Sequence, residues 1–178
     1  FRVGHPTMRG TLRWTPARGA VGVLVCVLSS ASCGSSTEPS DAGLFFRFTG
    51  NGSLVEYTEP TTLFATFSTT SGQSNLVITG YDATSGANLQ IYDDGQVGTG
   101  TYSGYDVMGG VLVGTLMGYE TSGGIDYATD PSTSAGVTIT VSEITDTRVR
   151  GTFNGRLTAD GQPDLVVTAG SFVVQRIN

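Results

Sequence analysis

The sequence contains no lysine, one histidine, His5, and two cysteines, Cys26 and Cys33. A Ser-His-Asp or Cys-His catalytic arrangement, a Schiff-base lysine, a zinc site of His and Cys, and a phosphate-loop lysine each need one of these groups. Most of the chain follows Cys33 and therefore offers only carboxylates, tyrosines, hydroxyls and arginines for chemistry. The sequence favours a protein that is not an enzyme, and it indicates no cofactor and no structural disulfide.

A segment typical of an export signal begins at Met8. Residues 19–28 (GAVGVLVCVL) are apolar or small, and this run is too short to span a bilayer. Residues 29–32 are small, as signal peptidase requires. We therefore predict an untranslated upstream segment at residues 1–7 and a signal peptide at residues 8–32. The positive start of the signal is supplied by Arg9, Arg13 and Arg18.

The residues Ala31-Ser32-Cys33 resemble the end of a bacterial lipoprotein signal, in which the cysteine is lipidated and becomes the new N-terminus. Ser30 departs from that pattern, which usually has an aliphatic residue there, so ordinary cleavage beside Ser32 is the alternative. The resemblance implies lipidation of Cys33 and a flexible tether over residues 33–42. The expected location is the bacterial cell envelope, lipid-anchored at the outer membrane or in the periplasm, and otherwise secreted.

Residues 43–178 are expected to form a single all-β domain. Short alternating runs rich in Val, Ile, Thr, Phe and Tyr are separated by Gly, Asn, Asp and Ser, and short connections favour antiparallel pairing. Amphipathic strands in a chain of this size predict an antiparallel β-sandwich or a closed meander barrel of about 9–11 strands. The predicted strands are Leu44–Thr49, Ser53–Thr58, Thr61–Ser68, Asn75–Asp82, Asn88–Asp93, Gly98–Ser103, Val111–Glu120, Gly124–Ala128, Gly136–Ile144, Thr147–Thr158 and Asp164–Ile177.

The C-terminal half carries a pattern of the form GTF-x-G followed by T-x-G-x-F-x-V. It resembles uncharacterised envelope lipoprotein β domains common in the Bacteroidetes and related bacteria. That resemblance implies a sandwich-like fold behind a lipid anchor, and it implies no activity and no catalytic motif. The segments that carry it are 100–102 (GTY), 136–141 (GVTITV), 151–155 (GTFNG) and 167–174 (VTAGSFVV).

The charge of the exported part excludes one class of partner. The part of the chain after residue 32 contains five arginines and all fifteen acidic residues, so its formal charge is −10. Nucleic acid binding needs a basic face that neutralises phosphates. The expected partners are the membrane, through lipid on Cys33, and a glycan or another envelope protein, but not nucleic acid.

Two groups of residues are weak candidates for binding ions. Arg148, Arg150 and Arg156 project from one face of a strand and are candidates for an anion site, although a solvent face paired with acidic neighbours explains them better. Asp160 and Asp164 have oxygen ligands at the spacing that opens a calcium loop, although a hairpin connection also explains them. The acidic loop around Asp126 and Asp130 is a calcium candidate of the same weak kind.

The acidic and aromatic residues suggest a catalytic alternative and a binding alternative. A glycan hydrolase needs two carboxylates in one cleft, and its candidates are Glu56, Glu120, Asp126 and Glu143. Asp93 and Asp94 are adjacent in sequence, so within a strand they would point to opposite faces and could not form a catalytic pair. They are expected at the end of a strand, where a turn begins. Sugar-stacking surfaces are available from seven tyrosines, Tyr57, Tyr81, Tyr92, Tyr102, Tyr105, Tyr119 and Tyr127.

These observations favour a non-catalytic envelope lipoprotein that acts as a binding or structural module. The alternatives are a carboxylate-dependent glycan hydrolase and a small barrel that carries an apolar ligand.

Overall fold

The computed structural model describes residues 43–70, 72–108, 111–130, 132 and 136–177. The predicted signal peptide, the lipidation site at Cys33 and the whole of the predicted tether lie outside this range. No helix in the described ranges is long and apolar enough to cross a membrane. The predicted all-β domain is confirmed, and its twelve strands are β1 Phe45–Gly50, β2 Ser53–Tyr57, β3 Leu63–Thr70, β4 Gln73–Tyr81, β5 Gly86–Asp93, β6 Gly100–Tyr102, β7 Tyr105–Met108, β8 Val111–Glu120, β9 Asp126–Ala128, β10 Val137–Ile144, β11 Arg148–Leu157 and β12 Leu165–Ile177.

The strands form one mixed sheet in the order β6-β10-β11-β12-β3-β4-β5-β8-β7. In addition, β1 lies between β12 and β2, and β9 pairs with β8. Within the described ranges the sheet does not close on itself, so the sandwich-like alternative is the one observed. We call β1, β2, β6, β10, β11 and β12 the first layer, and β3, β4, β5, β7, β8 and β9 the second layer.

The two layers are joined through β12. This strand pairs antiparallel with β1 up to Val173, and then pairs parallel with β3 from Gln175 to Ile177. Ala169 has a left-handed backbone with φ 51°, and the pairing registers with both β1 and β11 shift beside it. A bulge of this kind bends and twists a strand. The parallel pair departs from the antiparallel meander that short connections alone predict.

The core between the layers is centred on phenylalanine. The ring of Phe153 lies 5.2 Å from that of Phe46 and 6.3 Å from that of Phe172, measured between centroids. Phe46 and Phe172 have no exposed surface. Each of two rings packs over a glycine in the neighbouring strand: Phe153 pairs with Gly170, and Phe172 pairs with Gly151. A β-carbon on Gly170 would lie 2.5 Å from the Phe153 carbonyl oxygen and 2.7 Å from its ring, so no larger residue fits there.

All eleven predicted strands are present, with ends that differ by a few residues. The Asn51-Gly52 pair has φ values of 46° and 87° and forms the tight hairpin turn between β1 and β2, as expected for Asn-Gly. The prediction missed β7. Gly104, with φ 81°, ends the preceding extended segment and starts this short strand, which is too brief to show an alternating pattern.

We predict that Gly170→Ala destabilises the domain strongly. The added methyl group would force the Phe153 backbone and ring to move, and overpacking of this kind lowers the free energy of unfolding by about 1–3 kcal/mol. Gly98→Ala is the matched control, because a β-carbon there meets nothing within 4 Å. Urea unfolding monitored by circular dichroism measures both variants. Equal midpoints for the two variants would contradict the packing argument.

Candidate functional site

Charge is divided unequally between the two layers. In the described part of the chain every arginine lies in β1, β11 or β12. Strands β3 and β4 contain no charged residue, while β5 and β8 have only Asp93 and Glu120, each at the end of its strand. The arginines therefore all lie in strands of the first layer, and the charged residues in the strands of the second layer are the carboxylates Asp93, Asp106, Glu120 and Asp126.

The arginines of the first layer face carboxylates. Arg148 Nε lies 2.8 Å from Glu143 Oε1, and Arg150 Nε lies 3.9 Å from Glu143 Oε2. Arg156 forms an ion pair with Asp164. The structure thus distributes the three candidate anion-binding arginines over two acidic neighbours and does not gather them around one open position. Surface ion pairs of this type add little stability but satisfy the charges locally.

The acidic loops are organised as turns. Asp160 is exposed in the β11–β12 connection, where Gly161 has φ 69°, and Asp164 is held by its ion pair with Arg156. Asp130 Oδ1 accepts hydrogen bonds from the hydroxyl and the backbone amide of Ser132, which lower the pKa of Asp130. Among the described residues, no group of three or more His, Cys, Asp or Glu side chains is placed to hold a metal ion.

The outward side of the second layer is a surface of uncharged polar side chains. Inward residues such as Leu76, Ile78, Leu89 and Ile91 have no exposed surface. Because successive side chains of a strand point to opposite faces, the residues between them face solvent. We call this surface the polar face; its side chains are Phe64, Thr66, Ser68, Gln73, Asn75, Val77, Thr79, Tyr81, Asn88, Gln90, Tyr92 and Leu116.

Hydrogen bonds between side chains order the centre of the polar face along β5. The Tyr92 hydroxyl donates to Gln90 Oε1 at 2.6 Å, and Gln90 Nε2 donates to Asn88 Oδ1 at 3.1 Å. These three residues alternate with buried leucine and isoleucine, so they lie in one row on the same side of the strand. The row holds amide and hydroxyl groups in fixed positions at the solvent boundary.

A depression of about 410 Å³ lies at one end of the polar face, and we call it the Tyr81 depression. Its outward residues form two rows across the strands: Thr79, Asn88, Gly118 and Ala128, and Tyr81, Gly86, Glu120 and Asp126. The two glycines have no side chain, and neighbouring side chains lie over them: a β-carbon would lie 3.0 Å from the Asn88 amide nitrogen at Gly118 and 3.2 Å from the Tyr81 β-carbon at Gly86. Tyr81, which is 41% exposed, forms one wall.

A second depression of about 310 Å³ lies at the other end of the polar face, and we call it the Tyr92 depression. Tyr92 lines it together with Ser68, Thr70, Gln73 and Asn75. The side-chain amide of Gln73 donates to the carbonyl oxygen of Leu112 in β8. The polar face therefore has a recess at each end, with the Asn88–Gln90–Tyr92 row between them.

A third depression, of about 450 Å³, lies between the β8–β9 and β11–β12 connections. It brings Asp126 and Asp160 to one surface, together with Thr158 and Gln162. A hydrogen-bonded bridge between Ala128 and Thr158 holds the two connections together. Two carboxylates without a third oxygen-rich charged neighbour make a weak cation site, so the arrangement adds little to the calcium prediction.

The structure brings together two of the four carboxylates considered for hydrolysis. Glu120 and Asp126 are directly opposite in the β8–β9 pair, where β-carbons are about 5 Å apart. Both are exposed at the rim of the Tyr81 depression. Glu56 and Glu143 lie in the first layer and face arginines. Asp93 accepts a hydrogen bond from the Gly95 amide, which fits its expected place at a turn.

The β4–β5 turn beside Tyr81 is held by one carboxylate. Asp82 Oδ1 accepts hydrogen bonds from the Thr84 backbone amide at 2.7 Å, the Thr84 hydroxyl at 2.8 Å and the Ser85 amide at 2.8 Å. These hydrogen bonds lower the pKa of Asp82. Ser85 in turn bonds the hydroxyl of Tyr57 on β2 at 3.0 Å, which ties the turn to the first layer.

Sequence reasoning missed the polar face, although a signal for it was present. No charged residue occurs between Leu63 and Tyr81, and polar residues alternate with leucine and isoleucine from Asn88 to Tyr92. Alternation alone predicts that each strand has a solvent-exposed face, but it does not distinguish the exposed face of these strands from that of any other strand. The pairing of β4, β5 and β8 places the outward polar side chains of these strands side by side.

Comparisons of the chain with protein-family models, with curated proteins and with solved structures give no match. The resemblance of the C-terminal half to envelope lipoprotein β domains stays a prediction.

We predict that the domain loses stability at high pH through Tyr57. Burial raises the pKa of Tyr57 from 10.0 to about 12, because it disfavours the charged tyrosinate. The stability linked to this shift is fully present below pH 10 and is lost as the pH rises towards 12. Burial also raises the pKa of Tyr119, so the substitution Tyr57→Phe should reduce the loss without abolishing it. Urea unfolding between pH 9 and 12 measures the slope, and an unchanged slope in Tyr57→Phe would refute the assignment.

Proposed function

We propose that this chain is a non-catalytic binding domain of the bacterial cell envelope, held at the membrane by lipid on Cys33. The support for the anchor is the order of features before the domain: a positive start, a short apolar run, small residues and a cysteine. The support for a binding role is the contrast between the two layers.

The observation that carries the binding role is the polar face with its two depressions. In the first layer, Arg47, Arg148, Arg150 and Arg156 form ion pairs with carboxylates, and Arg150 Nε is buried without a hydrogen-bond partner. The polar face presents hydroxyl and amide groups beside two tyrosines, with recesses of about 410 and 310 Å³. Ligand sites in proteins are typically concave surfaces with a few ordered polar groups.

A carboxylate-dependent hydrolase is the second candidate function, favoured by the position of Glu120 opposite Asp126 at the Tyr81 depression. Retaining glycosidases place two carboxyl groups about 5–5.5 Å apart around the scissile bond. Against this function stands the exposure of both side chains, because a catalytic acid needs a raised pKa that burial supplies. No observation favours an apolar carrier, since side chains with no exposed surface, such as Phe46, Phe48 and Leu89, fill the core.

We expect Cys33→Ser to release the protein from the membrane. Without the sulfur there is no attachment point for lipid, while the small residues before position 33 still allow cleavage by signal peptidase. Fractionation of expressing cells should place the unchanged protein in the detergent-soluble membrane fraction and the variant in the aqueous fraction. Mass spectrometry of the mature N-terminus is the control. An unmodified N-terminus in the unchanged protein would refute lipidation and leave export intact.

We expect the mature protein to retain an envelope component without cleaving it. The purified protein is immobilised and exposed to envelope extract, and bound and released material are analysed for protein, glycan and new reducing ends. Glu120→Gln should bind as the unchanged protein does, because its carboxylate is not needed for chemistry. Release of reducing ends that disappears in Glu120→Gln would establish the hydrolase instead, and retention of nothing would contradict the binding role.

A further inference from the structure

We infer that the polar face binds a linear, uncharged glycan whose chain runs along β5 and places sugar rings in both the Tyr81 and Tyr92 depressions. This inference rests on the proposed function, because it names the ligand of that binding domain.

The chemistry of the polar face matches that of a neutral sugar chain. A sugar ring presents hydroxyl groups at its edge and a flat C–H surface on its face, so its site needs amide or hydroxyl groups beside an aromatic ring. Asn88 and Gln90 supply amides: Asn88 accepts one hydrogen bond within the row, Gln90 donates one and accepts one, and each amide has further donor and acceptor capacity. Tyr81 and Tyr92 supply aromatic rings with a polar tip at the two ends.

The charges around the polar face select against acidic ligands. The nearest charged groups at the Tyr81 depression are Glu120 and Asp126, and in the described residues neither makes an ion pair or a side-chain hydrogen bond. Two uncompensated carboxylates repel a phosphate or a uronic acid at that end. No arginine lines this depression, and Arg176, which contacts the second layer, lies over the ring of Phe67 in β3. An uncharged glycan avoids the penalty.

The dimensions of the polar face fit an oligosaccharide better than a single sugar. Asn88 borders one depression and Tyr92 borders the other. These residues are four positions apart in an extended strand, a separation of about 13 Å at about 3.3 Å per residue. A single ring occupies one depression, whereas a short chain reaches both and passes over Gln90. Gly86 and Gly118 add no side chain to the depression of about 410 Å³ beside Tyr81.

A folded protein partner fits the polar face less well. Protein interfaces have an apolar centre with large buried side chains. The apolar residues on this surface, Phe64, Val77 and Leu116, are only partly exposed. Polar side chains surround Val77 and Leu116, and the Phe64 ring packs edge-on against Tyr81 at one end of the face. The ordered amide row lies where an apolar centre would be needed.

The inference is tested on the mature protein by native affinity electrophoresis and isothermal titration calorimetry. Mixed-linkage β-glucan, xylan and galactomannan serve as neutral probes, and alginate and polygalacturonate as anionic ones. We expect retardation by at least one neutral polysaccharide and by neither anionic one. With oligosaccharides of the same composition, affinity should rise with length until the chain reaches both depressions.

Substitutions on the polar face locate the site. Tyr81→Ala and Tyr92→Ala should each weaken binding about 3- to 10-fold, the effect expected for loss of one aromatic contact. Leu54→Ala is the matched control, because it removes a large side chain that is 66% exposed on β2 in the first layer, and its affinity should not change. Tyr92 donates a hydrogen bond within the row, so Tyr92→Ala can disturb the fold. Tyr81 is exposed, so Tyr81→Ala tests the site even if Tyr92→Ala unfolds.

Three results would overturn the inference. Binding of alginate or polygalacturonate alone would exclude an uncharged ligand, and equal affinities for both tyrosine variants and the unchanged protein would place the site elsewhere. Absence of binding to every polysaccharide would exclude a glycan from the tested classes. Capture of an envelope protein by the same preparation would then leave the proposed binding function standing, while capture of nothing would remove both.

Discussion

Two phenylalanine rings lie over glycine backbone in the neighbouring strand, Phe153 over Gly170 and Phe172 over Gly151, and the arrangement of the layers depends on this packing. Close approach is possible because glycine has no β-carbon. A third contact of this kind crosses between the layers, where a β-carbon on Gly80 would lie 2.8 Å from that of Phe46. The Phe46 side chain thus sets the spacing at which β1 meets β4.

The bulge at Ala169 follows directly from that spacing. Gly170 must lie under Phe153, while the end of β12 must leave the first layer and join β3. Ala169, with its left-handed backbone, bends β12 so that both arrangements are possible. The strained position costs about 1 kcal/mol or more for a residue with a side chain, and the packed glycine–phenylalanine pairs on either side hold it.

The same architecture separates the two outward surfaces. On the first layer, Arg148 and Arg150 share the carboxylate of Glu143, and on the second the Asn88–Gln90–Tyr92 row is ordered by hydrogen bonds without any charge. Ordered side chains lose less conformational entropy on binding a ligand than free ones do. The second surface is therefore the better prepared to bind, and its adjoining carboxylates, Glu120 and Asp126, set the sign of charge that it rejects.

The sequence by itself determined the all-β class, eleven of the twelve strands and the Asn51-Gly52 hairpin, because alternation and turn chemistry are local properties of the chain. It also limited the chemistry, since the absence of lysine and of any histidine after His5 can be read directly from the residues. Only the tertiary structure decided that β12 runs parallel to β3, that Glu120 faces Asp126, and that Arg148 and Arg150 share Glu143. These arrangements depend on which strands are neighbours and in what register. Such neighbours are distant in sequence, and hydrophobic alternation has the same period in every strand, so it cannot select among them.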